Sequence, residues 1–468
     1  MNRRIFLTLT GGIAASAIAS KELLAAAKEP VKKPNIIVMI CHDIGQHLGC
    51  YGVSEVNTPS IDRLAAEGVM FKNSFCSSPS CSPSRASIFT GRYPHSNGVM
   101  GLTHASFAWD LYPGEKHLCS YLKQAGYKTA LAGLQHEVPD VATIGFDHFD
   151  ASHDMHTGKP LTCDKVAQDA SDYISSASKS GEPFYLQAGF FEPHRKFDFG
   201  GAVPDDSNGV FIPPYIKDEP GARQEFAGYQ GSIKKVDASI GRVLDALANN
   251  GISNNTIVIF TSDHGIPFPR AKCSLYDPGI VVPFIIRWPA RGWTGGRKYS
   301  EMISNIDYLP TLLDAVGAKT AANVQGESFC SLLDNKPYEP RTEIFAEMTY
   351  HDYYDPRRAI RTEKFKLIAN FTTAHFFMNP SQSYRPATKT NNPVEPTAAY
   401  HPYLELYDLE TDPLEEKNLI DDVGYSDVKI QLCRKLLGWM KKTDDPLLKG
   451  AVTPPHHTEA LSRLYGAK

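Results

Sequence analysis

The chain has 468 residues, 42% of them hydrophobic and 21% charged, an ordinary globular composition that excludes a disordered chain and an array of membrane spans. Its 48 Lys and Arg against 52 Asp and Glu leave a formal net charge of −4, which argues against a general nucleic-acid binder but leaves room for an anionic ligand in a locally basic pocket. The length allows two or three domains, or one unusually large α/β unit.

In chain order, Asn2-Arg3-Arg4-Ile5-Phe6-Leu7 opens a basic segment that runs through small and apolar residues to Leu24 and then Ala25-Ala26-Ala27. A basic start, an apolar middle and an A-x-A end predict a signal peptide over residues 1–27, and the paired arginines before Phe6-Leu7 suggest the twin-arginine type. Export to the periplasm or beyond follows, with no stable membrane insertion after cleavage; an uncleaved anchor is the competing reading. Nothing else approaches the ~18 continuous apolar residues of a spanning helix. Nine cysteines are too few for a disulfide scaffold in a chain of this length, leave one or two bridges open, and contain no C-x2-C pair, so a zinc knuckle is not expected.

Residues 35–40 form an apolar run suited to a central parallel strand ending at Cys41-His42-Asp43. Thr58, Pro59 and Gly68 predict a helix capped at Thr58 and stopped at Gly68. Helices near 114–125, 164–177, 223–249 and 306–316 alternate with strands near 128–133, 183–190, 256–262 and 282–287, the rhythm of a doubly wound α/β sheet. In such sheets ligands bind at the carboxyl ends of the strands. Past about residue 340 the texture changes to short alternating strands, a Pro- and Thr-rich insertion near 379–398 and a helix near 425–442, which predicts a catalytic unit over 28–340 and a smaller α+β unit over 341–468.

Cys81-Ser82-Pro83-Ser84-Arg85, closed by Ala86-Ser87-Ile88-Phe89-Thr90-Gly91, reads as C-x-P-S-R-x4-T-G. This pattern resembles the type I sulfatase family, in which the cysteine is oxidised after translation to formylglycine. A hydrated aldehyde carries two hydroxyls on one carbon, so one can attack sulfur and the other can later expel sulfate as the aldehyde re-forms. A buried or disulfide-bonded cysteine is the bland reading of the same residues. The resemblance implies an alkaline-phosphatase-like, mostly parallel sheet with a smaller C-terminal domain, a maturation enzyme that generates formylglycine, and a calcium ion. Leu406-Tyr407-Asp408-Leu409 with Asp412-Pro413 and Glu416-Lys417-Asn418-Leu419 resembles the family's C-terminal signature.

Carried over position by position, the metal ligands implied are Asp43, Asp263 and His264, with residue 81 beside them. Hard carboxylates suit calcium, which would balance charge on sulfate. The family's first acid is replaced here by His42, whose place among the ligands is left open. Arg85 would hold the formylglycine hydroxyl through its donor fork. The family's Gly-Lys-x-His becomes Gly133-Leu134-Gln135-His136: His136 matches the base, but the lysine is Leu134, so activity is lowered or another cation, His42 or Arg195, takes over. His194 matches the histidine at the leaving group, and Lys272, in Lys272-Cys273-Ser274-Leu275-Tyr276-Asp277-Pro278-Gly279, matches the lysine that binds sulfate.

The stretches Phe260-Thr261-Ser262-Asp263-His264-Gly265, Asn97-Gly98-Val99-Met100-Gly101-Leu102 and Glu192-Pro193-His194-Arg195 resemble the N-sulfoglucosamine sulfohydrolase (sulfamidase) branch. Candidate sugar contacts are Arg195, Arg270, Glu347, His351 and Asp352. The expected function is calcium-dependent hydrolysis of sulfate esters or sulfamates of sulfated saccharides. Competing readings are a phosphomonoester or phosphonate hydrolase, and a catalytically silent glycan-binding protein, the latter prompted by His42 and Leu134.

Overall fold

The computed structural model describes residues 32–104, 107–149, 160–374 and 400–466. The expected leader over 1–27 and the insertion near 379–398 lie outside the described residues. A seven-stranded sheet is built from β1 (Asn35–Cys41), β2 (Val69–Phe71), β4 (Lys128–Gly133), β5 (Phe184–Phe190), β6 (Thr256–Ser262), β7 (Phe284–Arg287) and β8 (Arg297–Tyr299), in the order β4-β5-β1-β6-β7-β2-β8. β3 (Ser74–Phe75) and β9 (Ile303–Ser304) form a separate two-stranded ribbon. Only β7 runs against its neighbours. The expected mostly parallel, doubly wound sheet is therefore present, with one reversed strand that the short 284–287 segment did not reveal.

Strand periodicity decides which residues meet which layer. Ile37, Met39 and Cys41 join one core with α4 (Cys163–Ser180) and α5 (Pro220–Asn249), while Ile36, Val38 and Ile40 join another with α3 (Leu118–Gln124) and α6 (Tyr308–Ala315). Helices thus cover both faces, and β1, β5 and β6 read as continuous apolar runs because both their faces are buried.

α1 (Pro59–Glu67) starts and stops where its sequence indicates, but Thr58 does not cap it. The Thr58 hydroxyl accepts from Gly49 N at 3.0 Å and donates to Asp62 at 3.1 Å, and the first helical amides of Ser60 and Ile61 donate instead to Asp237 of α5, at 3.1 and 2.8 Å. All nine cysteines are free thiols, so neither of the bridges left open forms. Among the described residues no helix is long and apolar enough to cross a membrane.

A four-stranded antiparallel sheet follows: β10 (Glu343–Tyr350), β11 (Tyr354–Thr362), β12 (Phe365–Asn370) and β13 (Leu404–Asp408). Ile344, Ala346, Ala359 and Ile368 pack on Phe75, Leu275, Tyr276 and Ile280 of the first unit. Ile360, Leu367 and Leu406 face α7 (Ser426–Lys442) through Leu432, Leu436 and Trp439. The small sheet therefore packs on the β3 ribbon and on the loops around 275–282 of the first unit rather than on the large sheet itself.

Candidate active site

Four adjacent parallel strands deliver the site. After β1 come His42 and Asp43, after β4 His136, after β5 His194, and after β6 Asp263 and His264. Their order in the sheet, β4-β5-β1-β6, places these groups side by side at the carboxyl edge. Backbone contacts fix the two acidic turns together: Asp43 N donates to Asp263 Oδ1 at 3.0 Å, Ile44 N to Ser262 Oγ at 3.2 Å, and Tyr229 Oη to the Asp43 carbonyl at 2.7 Å.

Cys81 is the first residue of α2 (Cys81–Thr90), a helix with all ten residues buried. A helix start suits an anion, because the first-turn amides have no partner inside the helix and the dipole is positive there. Three hydroxyls of this buried helix have partners: Ser87 donates to Pro83 O at 2.9 Å and Thr90 to Ala86 O at 2.7 Å within the helix, while Ser84 donates to the Asp263 carbonyl and accepts from Asn305 at 2.9 Å, both far away in the chain.

The side chains converge on Cys81. Its Sγ lies 3.3 Å from His264 Nε2, which is also 3.1 Å from Asp43 Oδ1. Lys272 Nζ donates to both Asp43 oxygens, at 3.1 and 3.0 Å, and stands 3.3 Å from His194 Nε2. Arg85 Nε donates to Asp263 Oδ2 at 3.0 Å, and its two terminal nitrogens are buried without a hydrogen-bond partner. Asp43, Arg270 and Cys273 all have left-handed backbone, φ 50°, 64° and 63°; for residues with a Cβ such strain concentrates at functional sites.

Charge follows from the neighbours. Burial works against the Cys81 thiolate, but Lys272, His264 and His42 outweigh it and hold the thiol well below its usual range. Burial likewise opposes a charge on His42, yet Asp263, at 2.9 Å from its Nδ1, pushes its pKa up to about 10. Asp43 and Asp263 remain ionised despite burial, the first chiefly through Lys272, the second through His264 and His42. His136 is driven down to about 3 by burial and is neutral. His194 is also neutral, lowered to about 4 by burial and then Lys272. Its Nδ1 lies 2.6 Å from the Arg195 carbonyl, an acceptor that fixes the proton on Nδ1 and leaves Nε2 to accept from Lys272.

Donor atoms of His42, Asp43, Cys81 and Asp263 all lie within 4.8 Å of one another and are buried. Two hard carboxylates in that cluster, with orphaned Arg85 nitrogens beside them, fit a divalent cation and an oxygen-rich ligand.

The other expected residues fall elsewhere. Arg195 stacks on Phe197 and Phe268 and pairs with Glu225 at 3.1 Å. Arg270 covers Tyr276 and donates to the carbonyls of Leu414 and Glu415 at 2.8 and 2.9 Å, bracing the loop that carries Lys272. Glu347 is buried against His95 and 3.3 Å from Arg358, which is itself tied to Asp445. His351 reaches the Cys81 pocket, and Asp352 is 43% exposed beside it. Sequence reading missed His104, whose Nδ1 is 2.9 Å from His136 Nε2, and Thr103, whose amide donates to Ser82 Oγ at 3.2 Å. Their one signal was position, directly after Asn97-Gly98-Val99-Met100-Gly101-Leu102.

A family model described as Sulfatase matches residues 34–318, and one described as N-sulphoglucosamine sulphohydrolase, C-terminal, matches 268–386. The chain belongs to the sulfatase family. Among the sulfatase's relatives, an ulvan-active sulfatase of Formosa agariphila is 30% identical over 447 residues, covering 93% of this chain and 86% of the relative. Human N-sulphoglucosamine sulphohydrolase is 28% identical over 463 residues, covering 88% and 91%. The solved structure of a 2-O GAG sulfatase has the same fold, with a TM-score of 0.70 at 23% identity over 90% of this chain and 95% of the other. The sulfatase is thus a sulfuric ester hydrolase.

Proposed function

We propose that the protein is an exported, calcium-dependent sulfatase that hydrolyses the sulfate ester or sulfamate of a sulfated saccharide with a formylglycine made from Cys81. What carries this reading is the convergence of Arg85, His136, His194, His264 and Lys272 on one buried cysteine at a helix start, beside two buried carboxylates. The saccharide class is supported by the names of the two relatives and by the C-terminal family model. Export is supported by the arginine-paired leader in the sequence.

Asp43 and Asp263 would hold the calcium, with His264, His42 and residue 81 at its edge. The ion would supply counter-charge to the sulfate oxygens. Once oxidised and hydrated, residue 81 would present its nucleophilic oxygen where Sγ now stands. Lys272 binds the sulfate oxygens as a point charge and holds the proton nearest His194 Nε2, so the pair passes that proton to the leaving atom. Arg85 offers its two unmet nitrogens to the hydroxyl of residue 81. His136, neutral and with its buried Nδ1 free of a hydrogen-bond partner, takes the proton of the second hydroxyl when sulfate leaves. Asp352, on the exposed rim, is the sugar contact we retain.

The test is sulfate release from defined sulfated mono- and disaccharides, with the state of residue 81 read by peptide mass spectrometry over residues 77–92. Matured protein should release sulfate, and Cys81→Ala should fold and release none. Silence of the matured protein across the panel would reject the reading.

A further inference from the structure

The C-terminal sheet reaches into the nucleophile's pocket through one side chain. Glu347 N donates to Ser77 O at 2.8 Å and Tyr350 N to Met100 O at 3.0 Å, so β10 is stitched to the loop before Cys81 and to the segment after α2. The β10–β11 register shifts between Met348 and Tyr350, and Tyr350 rests on Trp109 with ring centroids 5.2 Å apart. The chain turns there and delivers His351.

His351 is 5% exposed, and neither ring nitrogen has a hydrogen-bond partner. Its Nδ1 lies 3.5 Å from Asp352 Oδ1, and the ring is within interaction range of the sulfurs of Cys81 and Cys273. The groups around Cys81 are partly joined to one another, Lys272 to Asp43, His136 to His104 and Arg85 Nε to Asp263, while the terminal nitrogens of Arg85 and Nε2 of His42 lack a hydrogen-bond partner as His351 does. With Nδ1 facing Asp352, Nε2 is the nitrogen left unmet, and an unsatisfied buried donor costs free energy, so in a native fold it calls for a ligand. Cys273, the neighbour on its other side, is held by its amide to Pro79 O at 2.9 Å, two residues before the nucleophile, which fixes the pocket wall against which the imidazole sits.

We infer that His351 is a catalytic residue of the sulfatase: Asp352 holds Nδ1, and Nε2 donates a hydrogen bond to an oxygen of the sulfuryl group carried by the substrate. This rests on the sulfatase reading above and adds to it. The C-terminal sheet then supplies part of the oxyanion pocket rather than only a wall against the sugar.

The measurement compares native protein with His351→Ala, His351→Phe and His351→Gln, using a small aryl sulfate, a sulfated disaccharide and inorganic sulfate as an inhibitor. Loss of one charge-assisted contact predicts a fall of about ten- to hundredfold in kcat/KM for the alanine variant on both substrates, and about tenfold weaker inhibition by sulfate. His351→Gln, which keeps an N–H donor, should recover part of both. Should the alanine variant fail to fold, His351→Phe fills the space without a donor and takes its place. Loss confined to the disaccharide would make His351 a sugar contact and overturn the inference, as would unchanged inhibition by sulfate. If native matured protein releases sulfate from neither substrate, the sulfatase reading itself fails. Calorimetric titration of inorganic sulfate into native protein and variants then still decides: equal affinities, or no binding to either, reject a sulfate contact.

Discussion

Asp43 and Asp263 are wholly buried, and Lys272, Arg85, His42 and His264 share the neutralisation of their charge with any cation bound there. Chelation should abolish sulfate release, and calcium should restore it better than zinc because the charged donors are hard oxygens. Better restoration by zinc would show that the imidazoles set the preference. Leu134 poses a second question. It is 2% exposed, and its amide is bound to Gly189 O at 2.8 Å. With Arg195 committed to Glu225, His42, His264 and His351 are the charged imidazoles near the nucleophile. Leu134→Lys should therefore give no rate gain on an aryl sulfate, while burying an unpaired ammonium lowers stability by about 3 kcal/mol or more. A severalfold rate increase would mean that no other group had taken over. At this scale the positions of Cys81, His136, His194 and Lys272 were legible because each follows a strand or a motif. The fates of Arg195 and Arg270 were not, since their partners lie 30 and about 144 positions away.

Individual elements were legible in proportion to their length and pattern. β1, β5 and β6 are apolar runs, and the long amphipathic α5 declares itself by its period. α2 has no apolar face to detect, since all ten residues are buried, serines and arginine included; β2, β3, β8 and β9 are two or three residues long, too short for alternation to register. The cap on α1 came from Asp237, 177 positions from Ser60, beyond any local rule. The C-terminal sheet carries its own buried charge, Glu405. Burial works against its ionisation, but His401 at 3.1 Å, with Tyr407 and Asn370 each at 2.7 Å, outweighs it and brings the pKa down to about 2. A carboxyl whose folded pKa lies below its unfolded one adds stability above the unfolded value, and that stability disappears as pH falls toward the folded one. Glu405→Gln should thus be less stable than native protein by about 3 kcal/mol at pH 6 in urea titrations. The gap should close between pH 4.5 and about 2; a constant gap would assign the effect to packing instead.

Across the whole molecule, the C-terminal sheet and the first unit share a core in which Phe75, Leu275 and Tyr276, from the ribbon and loops of the first unit, meet Ile344, Ala359 and Ile368. Arg270 and Lys366 add polar ties, the latter buried against Asp277 and Glu415, both at 2.6 Å. Two units joined this way should melt together. Calorimetry on metal-loaded protein should show a single transition, and two resolved transitions would show that the C-terminal sheet is independently stable. The change in texture near residue 340 was visible in the sequence. The strand order, the reversed β7 and the shared core were not, because they depend on pairings between segments far apart in the chain.

Cys81 sits at 2% exposure on a helix with no exposed residue, walled by the strand ends and by His351. A separate enzyme must surround several residues of its target to oxidise one of them, and this fold offers it no such access. Under the formylglycine reading, maturation is then a matter of timing: the thiol is open to conversion only while the segment around it is still unfolded, and a chain that folds first is committed as the thiol form. Folded thiol protein should resist a maturation enzyme that converts the peptide 77–92, and denaturing the same sample should restore conversion, both read by peptide mass. For a chain exported through a route that carries folded cargo, the deadline falls before the membrane, so the activity of each exported molecule would be decided inside the cell that made it.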